Sequence, residues 1–368
     1  MGRTTNMTID AFFREAFGVA PMGVGQARAR VNLIGEHTDY NGGRVMPMGL
    51  PLTTHIAVST SDDAPNAISG QLDVISERFG TASRALNEEA KGDWSDHVLG
   101  ALKTTLHEHG APLQGRWRVA ILSEAPHGAG LSSSAALGVA LIKAVDASFK
   151  KTRADKDVAR LAQYTENKFL GVPCGIMDQF AAAHLAPGEC MALDTASMAF
   201  EQLPVPSSWR FVVCHSGESR DLGDGRYAER RADCETAARH LGVSHLCQAT
   251  HLPDAAESAM GVQAFRRARH VLTENARVSA ALTAMANEDA IAMGRLMDES
   301  HASMRDDFVI TTPGIDAIVN ASRAAGAVGA RMTGGGFGGC IVSLVMAKDV
   351  DAWRTRLEST APKAQFIV

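Results

Sequence analysis

The sequence predicts an α+β protein built from two domains, and three observations lead to this fold class. The chain has 368 residues, more than one hydrophobic core usually organises. A strand pattern runs into a glycine turn and then into a helix pattern between residues 116 and 149. Asp221–Leu241 instead has the spacing of a charged helix, and Gln263–Glu299 that of two further helices with polar faces. We place the boundary in the turn-rich stretch near residue 188, which gives domains of residues 1–188 and 189–368.

The N-terminal domain begins with a predicted helix and continues mainly as strands. Residues 8–17 have the periodicity of a short amphipathic helix. Val31–Ile34 and Ile56–Thr60 are typical of strands and flank a polar loop that contains glycine. Arg116–Leu122 alternates as a strand does, and a helix is expected to open around Ser132–Ala135. The loops between these elements are the first places to look for a site.

The remaining elements are predicted to be mainly helical, and local signals mark where several of them begin or end. Thr312 and Pro313 are typical of an N-cap and a first helical turn, and Gly326 of a stop. Gly171 and Pro173 stop the helix before them. The predicted elements are helices over Ala154–Phe169, Asp221–Leu241 and Thr312–Gly326, two helices within Gln263–Glu299, and a strand over Cys340–Val345.

Composition and charge exclude several classes of function. The net charge of −5 disfavours a protein held to nucleic acid by bulk electrostatics, so any phosphate must be met by local groups. No apolar run is fit for a signal peptide or a membrane span. The six cysteines are scattered without a C-x-x-C pair, which suits reduced thiols in a reducing compartment. We expect a cytoplasmic protein with no nucleic-acid or membrane partner.

A stretch rich in glycine and serine, Pro126–Ala136, is typical of a phosphate-binding loop. Gly128 and Gly130 allow positive φ and close approach of the backbone to an anion. The helix that follows offers free N–H groups and the positive end of its dipole. It is not a Walker A loop, because no Gly-Lys-Ser or Gly-Lys-Thr follows. A structural turn with serines that cap a helix remains the alternative. A second glycine cluster, Thr333–Gly339, indicates close approach either to a ligand or to another strand.

Arg30–Gly43 gathers charged and polar residues behind one short strand. Glu36, His37 and Asp39 could pair with the hydroxyls of a polyol, each of which costs about 1–3 kcal/mol if it is buried unpaired. Arg30 could pair with a carboxylate or stabilise charge that develops on a transferred group. A core histidine and carboxylates in a solvated turn are the structural alternatives.

Asp178 lies among apolar residues in Pro173–Phe180, where a carboxylate requires a cationic or hydrogen-bonding partner. A catalytic base fits this position, because phosphoryl transfer needs a group that accepts or orients the hydroxyl proton. Glu166, twelve residues earlier on a predicted helix, could hold Mg²⁺. The histidines lack the spacing and partners of a zinc site, which disfavours a metal hydrolase.

Three blocks, Arg30–Gly43, Gly128–Ala136 and Arg331–Cys340, resemble in the same order the three motifs of the GHMP small-molecule kinases. The first of them, RVNLIGEHTDYNGG, is similar to that of the galactokinase family in particular. The resemblance covers nearly the whole chain, with supporting matches in Gly92–Gly100, Glu166–Phe180, Arg226–Glu235 and Arg267–Val278.

This resemblance implies an ATP-dependent kinase that phosphorylates the C1 hydroxyl of galactose and yields galactose 1-phosphate and ADP. The implied fold is the two-domain GHMP kinase fold, in which an N-terminal α/β domain resembles ribosomal protein S5 domain 2 and an α+β domain follows it, with the active site between them. The implied ligands are ATP, Mg²⁺ and galactose or a related monosaccharide. We expect a monomer or a weak oligomer.

The resemblance also assigns roles to individual residues. Asp178 falls on the family's catalytic aspartate and Arg30 on the arginine beside the transferred phosphate. The implied sugar contacts are Glu36, His37, Asp39, Gly175 and Tyr227. The implied ATP contacts are Trp94 near the adenine and Gly128, Ala129, Gly130, Leu131, Ser132, Ser133 and Ser134 at the phosphates. Ser134 and Glu166 would hold Mg²⁺.

One departure from the family pattern precedes the first motif. The family usually has Ala-Pro-Gly-Arg, whereas this chain has Ala27, Arg28, Ala29 and Arg30, which adds a cation at Arg28.

Two alternative functions are compatible with the same motifs. The first is a kinase for another monosaccharide, such as arabinose, galactosamine or another hexose. The second is a regulator that binds galactose and ATP without transferring phosphate, although it would not need the serines, Glu166, Arg30 and Asp178 together.

Overall fold

The computed structural model describes residues 7–62, 70–218 and 225–368. Contacts within the chain divide it into two compact units, each assembled from separate stretches of sequence. The first unit contains the residues up to Ala29, Pro51–Pro126 and Ser132–His184; the second contains Arg30–Leu50, His127–Leu131 and Leu185–Val368. The domain boundary expected near residue 188 stays a prediction.

Strands occur in both units. They are β1 (Gly23–Asn32), β2 (Arg44–Val45), β3 (Pro47–Ser61), β4 (Gln71–Ser76), β5 (Gly80–Ala85), β6 (Arg116–Ser123), β7 (Cys190–Asp194), β8 (Ala199–Leu203), β9 (Trp209–His215), β10 (Gly329–Thr333), β11 (Cys340–Met346) and β12 (Gln365–Phe366). β6 and β11 confirm two predicted strands. The strand predicted over Val31–Ile34 is wrong in its bounds, because β1 starts at Gly23, where inward-facing glycines give no hydrophobic signal. The strand predicted over Ile56–Thr60 is only the end of β3.

Helices make up much of both units. They are α1 (Ile9–Phe17), α2 (Ser95–Glu108), α3 (Ser133–Ser148), α4 (Asp155–Lys168), α5 (Met177–His184), α6 (Arg226–His240), α7 (Ala256–Met260), α8 (Val262–Ala286), α9 (Ala290–Ser303), α10 (Pro313–Ala324) and α11 (Val350–Thr360). α1, α3, α4, α8, α9 and α10 confirm predicted helices. Residues 221–224 of the helix predicted from Asp221 lie outside the described residues. No helix in the described ranges combines the length and apolar character that a bilayer-spanning segment needs.

The first unit packs helices against a mixed sheet. β6 pairs antiparallel with β3 and parallel with β4, and β5 is antiparallel to β4. α1 covers β6 through a small cluster that buries Ile9, Phe13, Ala57 and Ala120. α2, α3, α4 and α5 pack on one another, so that the N-terminus of α3 and the first turn of α5 belong to one helical layer. These two helix starts carry the predicted phosphate and catalytic residues.

The contact between β1 and α3 depends on glycine. A Cβ at Gly25 would collide with the carbonyl oxygen of Ala140, and one at Gly23 with that of Ala144. The strand and helix backbones therefore touch directly, because only glycine leaves space for such an approach. This contact fixes the position of α3, and with it the serines at the start of that helix.

The second unit contains an antiparallel sheet in the order β10-β11-β9-β12, in which Cys340 is opposite His215. Helices α6, α8 and α10 contribute buried side chains to a single core with this sheet. β2 and β8 pair antiparallel with β7 in the same unit. At α10, Thr312 accepts a hydrogen bond from the Ile315 amide and Pro313 begins the helix, as the sequence predicts. The short loop between β10 and β11 is the second glycine cluster.

Gly25→Ala tests the close approach of β1 to α3. We expect the free energy of unfolding to fall by about 1–3 kcal/mol, because the added methyl group forces two backbones apart. Gly138→Ala is the matched control within α3, since a Cβ there meets only Ala162 at 3.7 Å. The control should stabilise the helix by about 0.5–1 kcal/mol. Urea unfolding measures both changes, and equal midpoints for the two variants would contradict the predicted contact.

Candidate active site

The glycine-serine loop has a backbone suited to an anion. Gly128 and Gly130 have φ of 73° and 77°, and Ser132, at the N-cap position of α3, has φ of 60°. A Cβ at Gly128 would meet nothing within 4 Å, so the space beside this residue is open. In the described part of the chain, the buried Ser132 Oγ has no hydrogen-bond partner. Free amides, a helix N-terminus and hydroxyl groups thus occur together, as phosphate binding requires.

Arg30 is attached to this loop within the second unit. Its guanidinium Nη1 donates to the carbonyl oxygen of Gly130 at 2.9 Å, and its amide donates to that of Leu131 at 3.2 Å. The side chain is almost completely buried. A buried guanidinium held next to the predicted phosphate loop can offset negative charge without reorganising.

The second glycine cluster packs against the same loop. A Cβ at Gly334 would lie 2.8 Å from the carbonyl oxygen of Gly130, and one at Gly339 would lie 3.1 Å from that of Ala129. Both glycines have positive φ. Between the two alternatives left by the sequence, the close approach is therefore to protein backbone, namely to the glycine-serine loop.

Glu36, a predicted sugar contact, bonds to the second glycine cluster. Its Oε1 accepts from the Gly334 amide at 2.8 Å and from Thr333 Oγ1 at 3.2 Å. Burial raises the pKa of Glu36, although the positive charges of Arg331 and Arg30 act in the opposite direction. This carboxylate therefore links the loop that begins at Leu33 to the glycine cluster.

Glu274 on α8 supports the same loop, and sequence reasoning did not identify it. Its Oε1 accepts hydrogen bonds from the amides of Gly35 and Glu36 at 2.9 and 3.2 Å. Burial alone would raise the pKa of Glu274, but the charges of Arg277 and Arg331 lower it to about 2. The carboxylate is therefore ionised and holds two consecutive backbone amides. The only sequence signal was the block Arg267–Val278, which matches the family pattern.

His270 lies one turn before Glu274 and holds the carbonyl of Glu36. Its Nε2 donates to the Glu36 oxygen at 3.1 Å, and its Nδ1 accepts from the Ser303 hydroxyl at 2.9 Å. Burial lowers the pKa of His270 to about 4. The ring is neutral at physiological pH and serves as a fixed support.

Aromatic rings surround the predicted sugar contact His37. His37 Nδ1 is 2.8 Å from the hydroxyl of Tyr40, and the His37 ring centroid lies 5.2 Å from that of Tyr227 and 4.7 Å from that of Phe308. Asp39 accepts a hydrogen bond from the Tyr40 amide at 3.0 Å. The second unit thus brings the rings of His37 and Tyr227 into contact, and Asp39 follows His37 by two residues.

The first unit brings together a separate set of predicted residues. Burial raises the pKa of Glu166 to about 7, and the negative charge of Asp178 adds to this effect. Side chains of Cys174, Gln179 and Ser134 donate hydrogen bonds to the Glu166 carboxylate. Gly175 is buried just before α5, and Asp178 is half-buried in the first turn of that helix. The predicted metal residues and the predicted catalytic base are therefore neighbours.

Trp94, the predicted adenine contact, forms a stacked pair with Phe79. The ring centroids are 5.6 Å apart with an interplanar angle of 18°, and Phe79 is 40% exposed. Asp96 Oδ2 fixes the backbone before Trp94 by accepting from the amides of Lys91 and Gly92. Sequence reasoning missed Phe79, because one aromatic residue at a hairpin turn gives no signal for stacking.

The remaining features are candidate metal-ligand clusters, the extra cation Arg28 and the cysteines. Among the residues that the structure describes, no group of three or more His, Cys, Asp or Glu side chains forms a ready metal site. Arg28, the extra cation before Arg30, is half-buried, and its Nε lacks a hydrogen-bond partner within the described ranges. The six cysteines are free thiols.

Three family models match this chain. The galactokinase galactose-binding signature matches residues 11–60, the GHMP kinases N terminal domain matches residues 96–185, and the GHMP kinases C terminal model matches residues 281–362. The matched ranges contain Glu36, His37 and Asp39 in the first model and Asp178 in the second.

Curated relatives and solved structures agree with these models. The chain is 40% identical to a galactokinase of Streptomyces coelicolor, over 96% of this chain and 92% of the relative. It is 39% identical to a galactokinase of Chloroflexus aggregans, over 94% of this chain and 89% of that relative. The crystal structure of Lactococcus lactis galactokinase complexed with galactose has a TM-score of 0.87 at 29% identity, covering 97% and 95% of the two chains. Methanococcus jannaschii mevalonate kinase shares the fold at 20% identity, with a TM-score of 0.67 over 93% and 96%.

The lowered pKa of His270 predicts that acid destabilises the protein. The unfolded chain protonates this histidine below pH 6.5 while the folded chain resists protonation until about pH 4, so stability is lost as the pH falls through that window. His270 accounts for a loss in the free energy of unfolding on the order of 2 kcal/mol between pH 7 and pH 5. His270→Gln should lose less stability than the wild type over this interval in urea unfolding. His251→Gln, at an exposed position, is the control; equal pH dependence in all three proteins would contradict the prediction.

Proposed function

This chain belongs to the galactokinase family of the GHMP kinases and is an ATP-dependent sugar kinase; from that premise we propose how its residues phosphorylate the C1 hydroxyl of galactose. One observation carries the proposal. Within a single unit, the sugar signature and the phosphate-loop backbone are joined, since Glu36 bonds to Gly334 and Gly334 lies against Gly130. A sugar hydroxyl and a phosphate that bind these two segments would be brought close together.

ATP binding is assigned to the glycine-serine loop and the aromatic pair. The residues from Gly128 to Ser134 supply amides, hydroxyls and the N-terminus of α3 for the phosphates. Arg30, held on Gly130, offsets their charge. Trp94, stacked on Phe79, supplies an aromatic surface for the adenine.

Mg²⁺ fits the residues of the first unit. Glu166 and Ser134 offer the hard oxygen ligands that this ion prefers. Burial and the negative charge of the neighbouring Asp178 raise the pKa of Glu166, and a cation bound between these carboxylates would stabilise their charged forms. When bound, the ion supplies charge neutralisation at the β- and γ-phosphates. We assign Ser134 and Glu166 to hold it.

Asp178 is the proposed catalytic base. It accepts or orients the proton of the C1 hydroxyl while the hydroxyl oxygen forms a bond to the γ-phosphorus and the bond to the β-phosphate oxygen breaks, which releases ADP. Arg30 stabilises the negative charge on the transferred group. Positioning accounts for most of the catalysis, because phosphoryl transfer requires little covalent chemistry from the protein.

The sugar contacts are assigned to Glu36, His37, Asp39, Gly175 and Tyr227. His37 and Tyr227 present ring edges and polar atoms from one aromatic cluster. Asp39 is half-buried and offers a carboxylate for hydroxyl groups. Oligomeric state and a cytoplasmic location stay predictions.

Asp178→Asn should remove most of the turnover and leave ATP binding intact. An amide cannot accept the hydroxyl proton as a carboxylate does, and general-base catalysis contributes about 10²–10⁴-fold to rate. Steady-state kcat measures the loss, and equilibrium titration with ATP measures binding. Asp157→Asn, an exposed aspartate on α4, is the control. Near-normal kcat in Asp178→Asn would reject the assignment.

A monosaccharide screen tests the substrate. Galactose, glucose, arabinose and galactosamine are each supplied with ATP and Mg²⁺, and ADP formation gives kcat/KM. We expect galactose to exceed glucose by at least about tenfold, because groups that bind the axial C4 hydroxyl are left unpaired by its epimer at about 1–3 kcal/mol each. A preference for a sugar without the galactose configuration at C4 would overturn the substrate. Binding of both ligands with no ADP formed would indicate a regulator.

A further inference from the structure

Gln179, the residue after the proposed catalytic base, carries a buried amide that the mechanism above does not use. It lies in the first turn of α5 and is 0% exposed. Among the described residues, no donor bonds to its Oε1. Buried polar atoms are nearly always hydrogen-bonded, so such an acceptor indicates a missing donor.

The other end of the same amide is well defined. Nε2 donates to Cys174 Sγ at 3.5 Å, and the side chain donates a hydrogen bond to the carboxylate of Glu166. In both contacts the nitrogen is the donor, so Nε2 faces Cys174 and Glu166 and the oxygen points elsewhere. The orientation of the amide is therefore fixed by its neighbours.

The groups around Gln179 indicate which donor could bond to its Oε1. The hydroxyl of Ser134 bonds to Glu166, and the thiol of Cys174 is shared between Glu166 and Asn167 Oδ1. The carboxylates of Glu166 and Asp178 are negative neighbours that attract a cation. Mg²⁺ dehydrates reluctantly and usually keeps several waters, which are strong hydrogen-bond donors. A water on such an ion can supply the missing donor.

We propose that Gln179 is a positioning residue for the hydrated divalent cation, with its Oε1 accepting a hydrogen bond from a metal-bound water and its Nε2 orienting Glu166. This inference rests on the proposed function, which assigns the metal to Glu166 and Ser134. Partners of this kind tune metal sites without touching the metal, and their loss typically weakens metal binding 10–100-fold. Sequence alone gave Gln179 no role.

Mn²⁺ binding to the complex of the enzyme with ADP tests the proposal without measuring turnover. The electron paramagnetic resonance signal of free Mn²⁺ gives its Kd for each variant. Gln179→Met keeps the volume but removes the acceptor, and its Kd should rise about tenfold or more. Gln179→Glu keeps acceptor oxygens and loses the donor, and its Kd should stay within about threefold of the wild type.

Gln163→Met is the matched control. Gln163 is half-buried on α4 and donates to the Cys174 carbonyl at 3.4 Å, so this variant makes the same chemical change beside the same segment. Its Kd for Mn²⁺ should equal that of the wild type. Thermal unfolding confirms that each variant is folded, and if Gln179→Met does not fold, Gln179→Glu decides, since a tenfold weaker Kd in it would overturn the proposal.

Glu166→Gln separates this inference from the proposed function. If Glu166→Gln weakens Mn²⁺ binding and Gln179→Met does not, the acceptor of Gln179 is filled by an ordinary buried water and the inference is overturned, while the metal assignment stands. If neither variant changes Kd, the metal assignment itself fails. A loss in both, with Gln163→Met unchanged, supports the inference.

Discussion

The second unit depends on a guanidinium buried between two carboxylates. Arg331 is fully shielded from solvent, with Nη2 3.6 Å from Glu36 Oε1 and 3.8 Å from Glu274 Oε1. Burying ionisable groups away from water is expensive, and further hydrogen bonds offset part of this cost: backbone amides donate to both carboxylates, and Arg331 Nη1 donates to the carbonyl oxygen of Asn32. Loss of one member would leave an uncompensated charge in the interior. The strand, loop and helix that carry these residues are consequently held in one geometry.

The network of Arg331, Glu36 and Glu274 positions backbone amides. Glu274 holds the consecutive amides of Gly35 and Glu36, and the Glu36 side chain in turn holds the amide of Gly334. Gly334 then lies so close to the carbonyl oxygen of Gly130 that a side chain at Gly334 would separate the two loops. Polyol contacts and phosphate-binding amides must be placed to a fraction of an ångström, and buried ionic bonds can hold backbone that precisely where loops alone would not.

Local chemistry explains what the sequence could predict. The N-cap of α10 could be predicted because Thr312 bonds to an amide only three residues away. The glycine-serine loop could be predicted because its residues are consecutive in the sequence. β1 was predicted in the wrong place because Gly23 and Gly25 face inward for reasons of contact with α3, which lies more than a hundred residues away. Glu274 was missed for the same reason: its partner Gly35 is 239 positions distant, and one sequence contains no signal for that pairing.

Two glutamates, Glu274 and Glu166, have pKa values that are shifted in opposite directions. Glu274 has two arginines beside it and accepts four hydrogen bonds from protein groups, and its pKa falls to about 2. Glu166 is also largely surrounded by protein but has a carboxylate for its charged neighbour, and its pKa rises to about 7. The hydrogen bonds to Glu166 do not offset the effects of burial and of the neighbouring carboxylate, which is consistent with its proposed role as a ligand of a cation. The difference between the two residues lies in their neighbours, because their side chains are identical.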